Sequence, residues 1–130
     1  MCSSDLAVVL TTVGGLRDDD GYVLGLENSI KQIVASGRVV FVMEDAYLQP
    51  GVVGGYVTSG KRQGETAAML VKLILLGTDI RELSPHAESP NEFVLDWASL
   101  KQHKIKPKKA VLAKAVVINK PTPIAEQYAS

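Results

Sequence analysis

Apolar residues fall along the chain in two arrangements, short continuous runs and stripes at helical spacing. Residues 6–12, LAVVLTT, are a continuous, β-branched run bounded by Gly14-Gly15, the pattern of a strand buried on both faces. Residues 39–43, VVFVM, form a second such run. Between them Leu24, Glu27, Ile30, Ile33 and Val34 recur at helical spacing, and Gly37 follows as a C-terminal stop. A strand, helix, strand order predicts a parallel pair with a right-handed crossover.

Residues 51–57, GVVGGYV, predict a third short strand. Residues 62–77, RQGETAAMLVKLILLG, predict a helix ending at Gly77 with Ala67, Leu70, Val71, Ile74 and Leu75 on its apolar face. A loop rich in Ser, Pro, His and Glu spans 78–91. EFVLDW (92–97) then reads as a strand and ASLKQHK (98–104) as a brief helix. From Ile105 the pattern loosens into the basic KIKPKK and an extended AVVINKPTP, where Pro121 and Pro123 stop regular structure. The whole predicts a three-layer, Rossmann-like α/β sandwich on a mainly parallel sheet. Ligands of such sheets bind beyond the carboxyl ends of the strands. The candidate contacts are therefore Thr11, Thr12, Glu44, Asp45, Gly54, Gly55 and Tyr56.

Length and composition narrow the function. At 130 residues the chain fits one domain, and its 14 basic and 14 acidic residues cancel. No global field then draws it to nucleic acid or an anionic membrane. With aromatics at 5%, stacking platforms for single-stranded nucleic acid are hard to build. Cys2 is the single cysteine, so neither an intramolecular disulfide nor a cysteine zinc cluster is available. No apolar run approaches the roughly 20 residues of a membrane-spanning helix. Residues 2–6, CSSDL, look like the translated adapter of a sequencing library. Residues 1–6 are therefore read as a non-native leader, 7–120 as the α/β lobe and 121–130 as an extended C-terminal segment leading toward a membrane helix.

The chemical signals are weak. The glycine-rich stretch 51–64 is strand-like, and Gly60-Lys61 is followed by Arg62, so neither a Walker loop nor G-x-G-x-x-G stands before a helix. Glycine at 54 and 55 points instead to close approach of backbone or ligand. In RDDDG (17–21) consecutive carboxylates diverge and the spacing of a calcium loop is missing, which predicts a solvated turn with Asp20 capping the next helix. His86 and His103 lack the partners of a zinc triad or catalytic dyad. Ser59, in T-S-G, is not in a nucleophile elbow. Neither a metal, nor a cofactor, nor catalysis is expected. KIKPKK reads as a solvated loop. At Glu44-Asp45, which directly follows a strand, a ligand contact and a cap on the next turn are both open.

Three segments carry a family resemblance: Gly51, Gly54, Gly55 with Arg62, Gln63, Gly64; Ser89, Pro90, Asn91 with Phe93, Asp96, Trp97; and Val117, Ile118, Asn119, Pro121 with Tyr128. In order and spacing they resemble the C-terminal lobe of ABC-type substrate-binding proteins with the type I periplasmic-binding fold. The version used as the extracytoplasmic sensor domain of bacterial histidine kinases and diguanylate cyclases is the nearest. The resemblance implies a non-catalytic lobe closing on a small molecule against an N-terminal lobe not contained in these residues, outside the cytoplasm, in a membrane-anchored protein that could pair as a homodimer. Two positions depart from the family pattern. Glu44 stands where the sensors often carry an aromatic residue, which favours a cationic ligand, and Ala113 replaces a usual proline. The solute receptor of an ABC importer is the rival within this family, and a small flavodoxin-like or nucleotide-binding enzyme the rival outside it.

Overall fold

The computed structural model describes residues 6–83 and 91–121. Five strands form one sheet in the spatial order of the sequence: β1 (Ala7–Leu10), β2 (Val39–Val42), β3 (Gly54–Thr58), β4 (Asn91–Asp96) and β5 (Val116–Ile118). Three of the four pairings are parallel and β3–β4 is antiparallel, so the sheet is mixed but mainly parallel. Helix α1 (Leu26–Val34) connects β1 to β2, and α2 (Gly60–Leu75) follows β3. Two short helices, α3 (Trp97–Gln102) and α4 (Lys109–Lys114), lie between β4 and β5. The architecture is the predicted α/β sandwich of Rossmann-like type.

The two faces are packed by different crossovers. On one, Ile30 of α1 and Tyr47 meet Val40, Val42, Val52, Val57 and Val94. On the other, Leu100 of α3 meets Val53 and Leu95, with Leu112 and Ala115 packed around them. This division follows from handedness. Strand β4 runs opposite to β1 while the step across the sheet continues in the same direction, so a crossover of the same hand must use the opposite face. Burial of Ile30, fully shielded from solvent, contributes about 1.5–3 kcal/mol by itself.

Strand β1 is not buried on both faces as its composition predicts. It is an edge strand, and Val9 remains 59% exposed because α1 covers only the side of Val8 and Leu10. Leu24 also falls outside α1, whose N-cap is Gly25 and lacks a side-chain cap. Asp20 therefore does not cap this helix. Asp18 organises the turn instead, its Oδ1 accepting from the amides of Asp20 and Tyr22 at 3.0 and 2.9 Å.

The largest departure is α2. All sixteen of its residues keep solvent exposure: Val71, Ile74 and Leu75 of the predicted stripe are exposed, as are Met69 and Leu73 on the opposite side, and only Thr66 and Leu70 are half-buried. Its predicted stripe exists, but it is not a core stripe. The segment after Ile105 is also more regular than predicted, since Lys109–Lys114 is helical and Val116–Ile118 pairs with β4.

Candidate functional site

Strands β1, β2 and β3 point the same way, so their carboxyl ends make one rim. Thr11 and Thr12 follow β1 and are exposed; Glu44 and Asp45 follow β2; Thr58 and Ser59 close β3. The rim is held together by the amide of Thr58 donating to the Met43 carbonyl at 2.9 Å and by a parallel bridge between Glu44 and Thr58. Buried Tyr47 fixes the chain beyond β1: its hydroxyl accepts from the Val13 amide at 3.2 Å and lies 3.5 Å from the Thr12 hydroxyl.

The two carboxylates at the end of β2 have different surroundings. Oδ2 of Asp45 accepts from the Gly60 amide at 2.9 Å, in the first turn of α2, where an anion also meets the positive end of the helix. Ser59, the N-cap, accepts from the Arg62 amide at 3.3 Å. Asp45 is thus committed to starting α2. Glu44 is exposed, and its carboxylate has no hydrogen bond or ion pair with any described residue. Of the pair, it is the one whose charge is available to a ligand.

Gly54, Gly55 and Tyr56 are not at the rim. They form the amino half of β3, because the strand begins at Gly54 and ends four residues later. Gly54 and Gly55 are buried inside the sheet, and the reason for glycine is the neighbouring backbone. A Cβ on Gly55 would collide with the Val42 carbonyl, and one on Gly54 with the Val94 carbonyl. Gly54 also has φ +146°, at a β-bulge. Phe41 faces Gly54 whereas Glu44 faces Thr58, so β3 carries one more residue than β2 between these points. The bulge puts Val53 on one face and Val57 on the other. Tyr56, 57% exposed, stands opposite Phe93 on β4 rather than beside Glu44.

At the other end of the sheet, two motif segments meet. The carboxylate of Asp96, only 5% exposed, accepts from the Ser99 amide at 3.0 Å and from Asn119 Nδ2 at 2.7 Å. Asn119 itself has φ +54°, a conformation asparagine tolerates. Lys120 sits over the Trp97 ring at 5.3 Å. Asp96, Trp97 and Asn119 therefore tie the carboxyl ends of β4 and β5 together, a structural role for residues that looked like family signatures.

Among the described residues no group of His, Cys, Asp and Glu could hold a metal ion, and no helix is long and apolar enough to cross a membrane. His103 is half-buried at the end of α3. Cys2, His86, Ser89, Pro90, Pro123 and Tyr128 lie outside the described residues. Sequence reasoning missed Thr58, Ser59 and Tyr47. The signal for Ser59 was present, since a serine before a helical stripe is an N-cap pattern.

Neither a protein-family model nor a curated protein matches the chain. Among solved structures it is similar to a conserved domain protein from Vibrio cholerae O1 biovar eltor str. N16961, with a TM-score of 0.56 at 20% identity. The match covers 85% of this chain and 36% of the Vibrio protein, so this chain spans about a third of that protein's length. At that identity the likeness is one of α/β fold.

Proposed function

We propose that the chain is one lobe of a two-lobed, non-catalytic domain that captures a small molecule, as the extracytoplasmic sensor of a histidine kinase or diguanylate cyclase does. The carrying observation is the path of the chain around α2. It leaves the sheet at Thr58 and re-enters at Asn91, and these two residues are register partners on the rim. The excursion between them presents a sixteen-residue helix none of whose residues is buried among the described ones, with Val71, Ile74 and Leu75 of its apolar side exposed. A helix projecting from the ligand rim with an uncovered apolar face fits an opposite lobe across a cleft, which would bury that face and carry α2 with it. The much greater length of the Vibrio protein agrees with a second lobe.

In this reading Thr11, Thr12 and Thr58 supply hydroxyls to the ligand and Glu44 supplies a carboxylate, which favours an ammonium-bearing molecule. Closure would be driven by tighter binding to the closed arrangement of the lobes. Gly54 and Gly55 act behind the rim, by allowing β3 to pack between β2 and β4, and Tyr56 lies behind the rim as well.

The test is thermal unfolding of the two-lobed protein with a panel of amino acids, diamines and dicarboxylates. An ammonium-bearing compound should raise Tm, and Glu44→Gln should remove the shift. A panel in which only dicarboxylates stabilise, or nothing does, would overturn the reading. The gene beyond Ser130 separates sensor from importer: an apolar stretch of about 20 residues followed by a signalling module supports the sensor, and a stop codon beside permease genes supports the importer.

A further inference from the structure

A second feature stands apart from the rim. Between α3, the turn at Lys104–Pro107 and α4 lies a cavity of about 420 Å³. This is within the range that holds small organic ligands. Its walls are apolar, with Trp97, Leu100, Ile105 and Leu112 among them, and Lys101, Lys104 and Lys106 line it as well. None of its walls comes from the rim residues.

The charge around this cavity is one-sided. From Trp97 to Pro121 the chain carries seven lysines and no aspartate or glutamate, although the chain as a whole is neutral. Lys101, Lys104 and Lys106 are exposed and form no ion pair with a described residue. The nearest preceding acid, Asp96, is already engaged by Ser99 and Asn119. Lys101 lies 5.7 Å from the centre of the Trp97 ring, and the indole Nε1 is buried without an acceptor among the described residues.

Lys104 adds an observation of another kind. It ends α3 in the left-handed region, with φ +57°, where the Ile105 amide donates to the Leu100 carbonyl and the Lys104 amide to that of Lys101. Glycine is the usual residue at such a helix end, because a side chain there is strained. The position keeps a lysine at the cavity in spite of that strain, a pattern that associates with binding sites.

We propose that this cavity is a binding site for an apolar organic monoanion, an aromatic or branched aliphatic carboxylate, with its hydrocarbon body against Trp97, Leu100 and Leu112 and its carboxylate among Lys101, Lys104 and Lys106. An apolar body fits the walls, and a single negative charge fits a rim that carries only cations. A neutral ligand leaves those cations uncompensated, and a cation is repelled.

Trp97 is the only tryptophan in the chain, so its emission reports on this cavity directly. The experiment titrates the 130-residue chain with 4-phenylbutyrate, its neutral relative 4-phenylbutanamide and its cationic relative 4-phenylbutylamine. Calorimetry gives affinity and selectively excited Trp97 fluorescence gives location. The acid should bind about tenfold more tightly than the amide, with a saturable change in Trp97 emission, from roughly two- to fivefold for each exposed charge pair. The amine should not bind. Added salt should erode the preference. Lys104→Gly should weaken binding of the acid by about two- to fivefold while leaving the amide unchanged and thermal stability equal or higher, which a purely structural lysine would not do. Equal binding of acid and amide, an anion preference that is undiminished in Lys101→Gln with Lys104→Gly, or calorimetric binding that leaves Trp97 emission unaltered would each overturn the assignment.

Discussion

Helices α1 and α2 carry the same kind of amphipathic stripe and meet opposite fates. The shorter, nine residues long, buries Ile30 completely against β2; the longer, at sixteen residues, has no residue more than half-buried. Amphipathicity states that a helix has a face to cover and leaves open what covers it. For α1 the covering surface is the neighbouring sheet, because a right-handed crossover between adjacent parallel strands lays the helix on it. For α2 no such crossover exists: β4 is antiparallel to β3, and the helix starts from the rim rather than returning across a face. The contrast makes α1 part of this lobe's core and α2 a projection from it.

The strongest way to break the comparison is to make the same deletion in both helices. Ile30→Ala should destabilise the chain by about 2–5 kcal/mol, because a fully packed site cannot collapse around the lost methyl groups. Chemical denaturation measures this. Asp45→Ala comes next. Loss of the acceptor for the Gly60 amide should weaken the start of α2 by about 1 kcal/mol. That effect should show as faster amide exchange in the first turn of α2 with the denaturation midpoint nearly unchanged. Ile74→Ala, chemically identical to the first substitution, should shift global stability by less than about 0.5 kcal/mol, since Ile74 is 42% exposed and alanine is the better helix former. If Ile74→Ala cost as much as Ile30→Ala, the distinction between the helices would fail.

The smallest effect belongs to the ion pair that follows α2. Oδ2 of Asp79 meets Nη2 of Arg81 at 2.7 Å, and the Arg81 side-chain and backbone hydrogen bonds hold the Asp79 carboxyl below the usual carboxylate value. A depressed acid stabilises the fold above its ordinary pKa, and the contribution disappears as pH falls through the lowered folded value. The pair is solvent-exposed, so carbon-detected NMR should show Asp79 titrating below an ordinary aspartate. Arg81→Gln should return it toward normal with no measurable change in Tm.

Much of the fold was legible because strands and helices announce their periods. The runs at 6–12 and 39–43, and the Ile30, Ile33, Val34 stripe between them, dictate a strand, helix, strand unit. Three features were not legible, each for a physical reason. Composition cannot tell an edge strand from a central one, so Val9 reads as buried while the structure leaves it exposed. Helix α4 hides behind KIKPKK, although Pro107 ahead of Val111 and Leu112 is a helix-start signal. The extra residue that β3 carries relative to β2 between Gly54 and Thr58 shifts which residues of β3 reach the rim, and this depends on register with β2, which no local pattern records.

The candidate site was legible in the same proportion. The carboxyl-end rule placed Thr11, Thr12, Glu44 and Asp45 at one rim, where they stand. It failed for Gly54, Gly55 and Tyr56 because the glycines invite a turn reading, whereas their lack of side chains serves the carbonyls of Val42 and Val94.

Amide hydrogen exchange on the 130-residue chain tests most directly whether α2 lies outside the core of this lobe. Amides of β2 and the last turns of α1 should exchange only on global unfolding. Those of α2 from Ala67 onward should exchange through local opening, at least about a hundredfold faster. Protection of α2 equal to that of Val40 and Val42 would contradict the account, since a helix opening only with the sheet belongs to the sheet's core.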